Sequence, residues 1–429
     1  MGIFLRPRQT LLEKWTFFPN LREVALYSPF EHLIELKPTN GQRFAQLGDE
    51  RVGIPPDLIP TMLHETRHWI DHMASVAGQR LLVTQFLAMD ARAGVDPLKF
   101  PAINEYAAVQ RRVFLNEFYT EYGRLEPPSE GDRFTATFSC GKQFNASGEL
   151  LREKPILFVR LHWPDGRFAV RVPVSTAALW ETSAMAYDYV AQLALIEQQG
   201  EGHKHVSRAE FVREVRAALY EPLLARYSVC AHIVSNHTGS NEISVCFQIA
   251  RRLASIALNL LPAHFKLLNS PEKFRAFAEA NEFFKAMLDP GYAFASIALH
   301  GRRLGSQDDV PDFDAWVDEA LAAAGLPNAA DIQSAARHEM DAIGTATVGS
   351  FQHRFEMLCR FGRDIFDKLG LSPSPARLLD GDYPLPPIKI GNDLMLDISK
   401  WNREEVDKWF KVTFVIHNQM TEYLEACGL

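Results

Sequence analysis

Cysteine is scarce in this 429-residue chain, and no two of the five form a C-x-x-C pair. Cys140, Cys230, Cys246, Cys359 and Cys427 are odd in number and scattered. That gives no basis for a disulfide framework and fits reduced thiols in a cytoplasm. Basic charge is not in excess either. Lys and Arg number 45 against 53 Asp and Glu, a net charge of −8, so nucleic acid is not an expected partner, because phosphate binding needs a basic surface. The first residues, from Met1 to Arg8, lack the apolar core of a signal peptide, and Arg6 breaks the myristoylation pattern after Gly2. No run is long and apolar enough to span a bilayer, and there is no internal repeat or low-complexity tract. These absences predict a cytoplasmic protein without membrane attachment, and they leave its oligomeric state open.

What the chain does carry is ordinary globular material with one pointed motif. Its 47% hydrophobic and 23% charged content suits folded domains, and the length allows two or three of them, each with a core. Residues 64–72 read His64-Glu65-Thr66-Arg67-His68-Trp69-Ile70-Asp71-His72. This is an H-E-x-x-H motif. On a helix, two imidazoles four residues apart share a face and can bind one zinc, while the Glu between them can take a proton from a metal-bound water.

Chance alone would place such a motif in roughly 3% of chains of this composition, so its setting matters. With steps of about 100° per residue, His68 lies near 40° from His64, Asp71 near 340° and His72 near 80°. Leu58, Ile59, Met62, Leu63, Trp69, Ile70 and Met73 gather between about 120° and 260°. The segment therefore reads as a helix with an apolar back and a polar front that carries both histidines. Pro55, Pro56, Asp57 and Pro60 mark its start, and the pattern carries it to about Gly78.

Along the chain, residues 21–37 read as short strands or extended chain and 38–55 as loop. Helices are predicted over 81–93 and 104–122. The period then changes to two. Residues 134–138 are a strand candidate, and 155–174 form an antiparallel hairpin around the tight-turn pair Asp165-Gly166. Ser175 caps a helix from 176 to about 199. The polar stretch 198–206 is the linker candidate, with His203 and His205 solvated. Helices are predicted over 207–235, 243–261, 271–287, 312–324, 330–369 and 402–426, with a proline-rich irregular stretch over 371–394. The class is α+β, predominantly α-helical. The expected division is 1–200 for the motif-bearing domain and 201–429 for a helical region that completes the cleft or binds partners. Trp69 and Trp180 are expected core anchors, and Cys230, Cys246 and Cys359 expected small core residues.

A catalytic zinc needs a third protein ligand and an open position. His72 lies about 12 Å from His64 along a straight helix, too far to share an ion with bonds near 2 Å. Glu181 is the better candidate. It sits in the second turn of the helix after the hairpin, flanked by Ala177, Ala178 and Ala184, which let a second helix approach. Asp188, seven residues on, shares that face and is an alternative acid or a hydrogen-bond partner for a ligand histidine's outer N–H. Asp71 and His72 are further candidates for that supporting role.

H-E-x-x-H on one helix, then a downstream helix offering a Glu followed by small residues, resembles the gluzincin branch of zinc metallopeptidases over residues 55–200. The chain departs from it at Arg67, where those peptidases usually carry an uncharged residue, and at Met185, where they place an Asp. The resemblance implies a zincin-like core with a small antiparallel sheet, one Zn2+ per chain held by His64, His68 and Glu181, and Glu65 as general base. It implies hydrolysis of a protein or peptide substrate. Tyr187, Tyr227, His232 and His237 are candidate oxyanion donors by residue type, and strand 168–174 offers an edge on which an extended substrate could pair. The competing reading is a helical interaction or scaffold protein with a non-catalytic metal-binding core, for which Glu65 would be dispensable. A zinc hydrolase acting on another bond shares the same ligands.

Overall fold

Two four-stranded sheets and a surrounding body of helices make up the described residues. The structure is a computed structural model that describes residues 25–36, 59–94, 97–115, 117–123, 133–145, 148–304, 312–374, 377–378, 381–390, 394–396 and 402–428. It is α+β and mostly helical. Among the described residues no helix is long and apolar enough to cross a membrane. The loop expected over 38–55 and the start signals at Pro55, Pro56 and Asp57 lie outside the described residues.

In the first sheet β1 (Ala25–Ser28) and β2 (Leu33–Leu36) form an antiparallel hairpin, with Ala25 opposite Leu36. The irregular stretch 371–394 contributes β7 (Ile388–Ile390), which pairs parallel to β2, with Ile34 opposite Ile388. A final strand, β8 (Leu394–Leu396), closes the order β1-β2-β7-β8. A three-residue strand carries almost no periodicity of its own. It forms because β2, far away in sequence, offers an unpaired edge.

The second sheet holds the expected hairpin. Strands β5 (Leu150–His162) and β6 (Phe168–Pro173) flank the Asp165-Gly166 turn, where Gly166 adopts φ +84°, a conformation glycine takes at no steric cost. The strand foreseen at 134–138 extends to β4 (Thr135–Phe144) and pairs with β5. On the other side β6 meets β3 (Glu121–Tyr122), and the Gly123 N–H donates to the Ala169 carbonyl at 2.8 Å. Strand 168–174 therefore lies between two neighbours, and the expectation of a free edge there for substrate is corrected.

The motif lies on α1 (Ile59–Met73), and α2 (Val76–Ala93) follows at once. The expected continuation to Gly78 fails because Ser75 caps the new helix. Its Oγ accepts from the Gly78 N–H at 3.0 Å, and Asn259 Oδ1 accepts the Val76 N–H at 3.1 Å. Capping side chains of this kind satisfy the orphan donors of a helix start. The helix α3 (Pro101–Phe114) precedes β3. After the sheet comes α4 (Thr176–Glu197), capped as foreseen by Ser175, whose Oγ accepts from the Ala178 N–H at 3.2 Å. The expected linker 198–206 is already helical from Glu201, in α5 (Glu201–Leu219), which leaves His203 and His205 exposed on it.

Where one helix was expected over 207–235, Pro222 separates α5 from α6 (Ala225–Thr238), because proline has no N–H for the ladder. Next come α7 (Ile243–Ala257), α8 (Pro262–Leu267) and α9 (Ala278–Ala286). Helix α10 (Pro290–His300) was not foreseen. It is buried nearly all round and so lacks the amphipathic stripe that period reading detects. The last helices are α11 (Phe313–Ala323), α12 (Ala329–Ile343), α13 (Gln352–Leu369) and α14 (Arg403–Ala426). The single helix expected over 330–369 is broken near Gly344 and Gly349, the latter at φ +77°.

Helix α1 sits in the middle of this assembly. Every residue of it is buried except Ile59 and His68, so the polar front is covered as well as the apolar back. Helix α4 packs along α1 and is itself backed by α6 and α7. Trp69 and Trp180 are buried in the shared core, as are Cys230, Cys246 and Cys359. The far end of α1 is pinned by α13. A Cβ on Gly362 would stand 2.0 Å from the Met73 carbonyl oxygen and 2.6 Å from Gln79 Nε2. Gly362→Ala must therefore push α13 away from the end of the motif helix. We expect a loss of about 1–3 kcal/mol in denaturant unfolding, the usual range for overpacking a core. An unchanged midpoint would contradict this packing.

Candidate metal centre

One turn of helix separates His64 from His68, and their rings stand nearly perpendicular, with centroids 4.8 Å apart. Their Nε2 atoms approach to 3.1 Å. Glu181, in the second turn of α4, brings Oε2 to 3.5 Å from each of them. Buried Ala177, Ala178 and Ala184 line that part of α4 and allow the two helices close contact. Three atoms from two helices thus form a nearly equilateral triangle. Donors bound at 2.0–2.1 Å to a tetrahedral ion stand about 3.3–3.4 Å apart, so one point just off the plane lies at bonding distance from all three. Among the described residues no other group of three His, Cys, Asp or Glu side chains converges in this way.

A second observation agrees with a cation there. Glu181 Oε2 is buried and has no hydrogen-bond partner, although a buried carboxylate oxygen is costly to leave unpaired. It faces two ring nitrogens instead. Exposure falls on one side of the site, since the side chains of Glu181 and His68 are 22% and 13% exposed and that of His64 only 1%. That geometry leaves an approach from the His68 and Glu181 side.

The electrostatics follow from the same contacts. Burial disfavours a charged His68, yet the Glu181 carboxylate, helped by Glu65 and Asp71, pushes it up to about 9. Burial likewise opposes ionisation of Glu181, but the His68 charge and the two imidazoles close to its oxygen outweigh it and hold the carboxyl well below its usual range. Glu65 is also wholly buried, and burial raises it despite the opposing charges of His64 and His68. The Tyr27 backbone N–H donates to Glu65 Oε2 at 2.6 Å. Strand β1 therefore anchors one oxygen of the motif carboxylate.

The remaining candidates separate clearly. Asp188 lies near His64 and Glu65 and is raised to about 6 by burial, but its Oδ1 accepts from Gln192 Nε2 at 2.8 Å. Among the described residues no hydrogen bond joins it to His64 or His68, and His64 Nδ1 has no partner. Asp71 is taken by Arg67, with Nε and Nη2 at 3.1 and 2.5 Å from its two oxygens. His72 is outside the triangle. Its Nδ1 meets the Tyr27 hydroxyl at 2.9 Å, and burial drives it down to about 3.

Three of the oxyanion candidates are engaged with backbone carbonyls away from His64, His68 and Glu181. The Tyr187 hydroxyl donates to the Pro373 carbonyl at 2.6 Å. His232 Nε2 bonds the Leu219 carbonyl at 2.8 Å and His237 Nε2 the Gly301 carbonyl at 2.5 Å. Tyr227 is half-buried against the core. Sequence reading missed Tyr27, Ser255 and Arg251, all brought in by tertiary contacts for which no local pattern exists.

Two measurements follow from this geometry. Purified protein should carry about one zinc per chain by elemental analysis, and His68→Ala should lose it; zinc retained by the variant would show that the metal sits elsewhere. In the metal-free protein the proton on His68 competes with the ion, because only neutral imidazole binds metal. Zinc affinity should therefore rise with pH until about 9, with about one proton released per ion at pH 7, readable by titration calorimetry in buffers of different ionisation enthalpy. A pH-independent affinity between 6 and 9 would contradict the assigned ligand.

No family model, no curated protein and no solved structure matches this chain.

Proposed function

We propose that this protein is a zinc-dependent peptidase, with a zincin-like core built on α1 and α4. The observation that carries the proposal is the donor triangle with a buried carboxylate next to it. In this reading His64, His68 and Glu181 hold the ion, and Glu65 is the base. When bound, zinc polarises a carbonyl and makes a coordinated water far more acidic.

The chain's own residues supply the proton handling. Glu65 has one oxygen fixed by the Tyr27 N–H, which orients the carboxylate and leaves the other oxygen to accept a proton. Burial raises its proton affinity, which suits a base that must later return the proton to a leaving amine. The covered motif helix excludes bulk water from this carboxylate and strengthens its interactions. The low exposure of His64 and the greater exposure of His68 and Glu181 direct a substrate to one face of the site. A protein or peptide is the substrate class, and the cytoplasm the expected compartment.

Glu65→Gln tests the reading directly. The variant should keep its zinc and lose peptide cleavage by a factor on the order of 10²–10⁴ in kcat, the usual contribution of a general base. Cleavage is read with a fluorogenic peptide library and zinc by elemental analysis. Zinc-loaded wild type that cleaves no peptide would instead favour an interaction protein with a non-catalytic metal core, and a variant that cleaves as fast as wild type would remove Glu65 as the base.

A further inference from the structure

Arg67 has no assigned task in the zinc reading, although it lies inside the motif and is 2% exposed. A buried guanidinium is costly unless its charge and donors are met. Here Asp71 takes two of its nitrogens, and Nη2 also donates to Ser255 Oγ on α7 at 2.9 Å. Nη1 is buried with no hydrogen-bond partner. The group stands 5.3 Å from the centre of the Tyr187 ring, within cation–π range.

Tyr187 belongs to α4, the helix that carries Glu181. A second buried guanidinium, Arg251 of α7, lies at the same 5.3 Å from that ring. Arg251 Nη1 donates to the Tyr187 hydroxyl at 3.1 Å, to Ser372 Oγ at 2.8 Å and to the Pro373 carbonyl at 3.0 Å. One aromatic ring therefore gathers two cations from two other helices, α1 and α7. The histidine-bearing helix and the glutamate-bearing helix are joined through it, away from the donor triangle.

We propose that Arg67 is a positioning residue for the metal centre. Through Tyr187 and Ser255 it holds α4 and α7 against α1, and so sets the separation between Glu181 Oε2 and the two imidazoles. It touches neither ion nor substrate. The assignment rests on the zinc reading, and it predicts that the ring contact, rather than simple neutralisation of Asp71, governs metal affinity.

Cobalt(II) titration of the full chain tests it, with the visible spectrum reporting coordination geometry and chelator competition reporting affinity. Arg67→Met combined with Asp71→Asn removes the ion pair without stranding a buried carboxylate. We expect this protein to fold with wild-type helix content but to bind cobalt about ten-fold more weakly, with a changed visible band, as loss of an outer supporting group typically does. Tyr187→Met should weaken binding in the same way, while Tyr187→Phe, which keeps the ring, should retain the wild-type band and affinity. If the double variant does not fold, the two Tyr187 variants decide. Wild-type affinity and spectrum in a folded Arg67→Met/Asp71→Asn protein or in Tyr187→Met would overturn the assignment and leave the zinc centre standing. A wild-type chain that binds no cobalt or zinc would remove the centre itself.

Discussion

The close packing of α4 along α1 is the contact on which the rest of the site depends. It brings a carboxylate from one helix to 3.5 Å from two imidazoles of the other. It also covers the motif helix, so that the charges there sit in a medium of low dielectric, where each is felt strongly by its neighbours. The shifts on His68 and Glu181 express this, because burial alone would drive both toward their neutral forms. Each is charged because the other is near.

The same packing explains why the motif helix is populated by so many buried polar residues. Glu65 meets a backbone donor of β1, His72 a hydroxyl of the same Tyr27, and Arg67 meets Asp71, Ser255 and an aromatic face. The polar side that a wheel would assign to solvent is instead an interior face with partners from strand and helix. Strand β1 also stands at the edge of its sheet and runs beside α1. The Glu65 carboxylate is thereby tied to one sheet and the donor triangle to the helical layer.

Some of this was legible beforehand. The H-E-x-x-H spacing, the tight turn at Asp165-Gly166 and the Ser175 cap are local patterns with local causes, and each is found where residues close in sequence require it. Glu181 could be singled out because small residues flank it on a helix, which marks a place of close approach. Other features left no local trace. Helix α10 is apolar all round, β7 exists through a partner at the other end of the chain, and β6 acquired a second neighbour in β3. Asp71 and His72 do not hydrogen-bond His64 or His68, for a similar reason. Residue type showed that they could support a ligand, but Arg67 and Tyr27 had already engaged them.

By itself, then, the sequence determined the helix that bears two imidazoles and a carboxylate on a 3.6-residue period, and the capped helix that offers a second carboxylate. Repeating backbone geometry makes such facts readable over a few residues. Only the tertiary structure decided that Glu181 closes the triangle, that Tyr27 anchors Glu65, and that Arg67 faces a tyrosine on the Glu181 helix. Those outcomes depend on how whole elements pack against one another, and side chains far apart in sequence meet only when burial of the shared core brings their helices together.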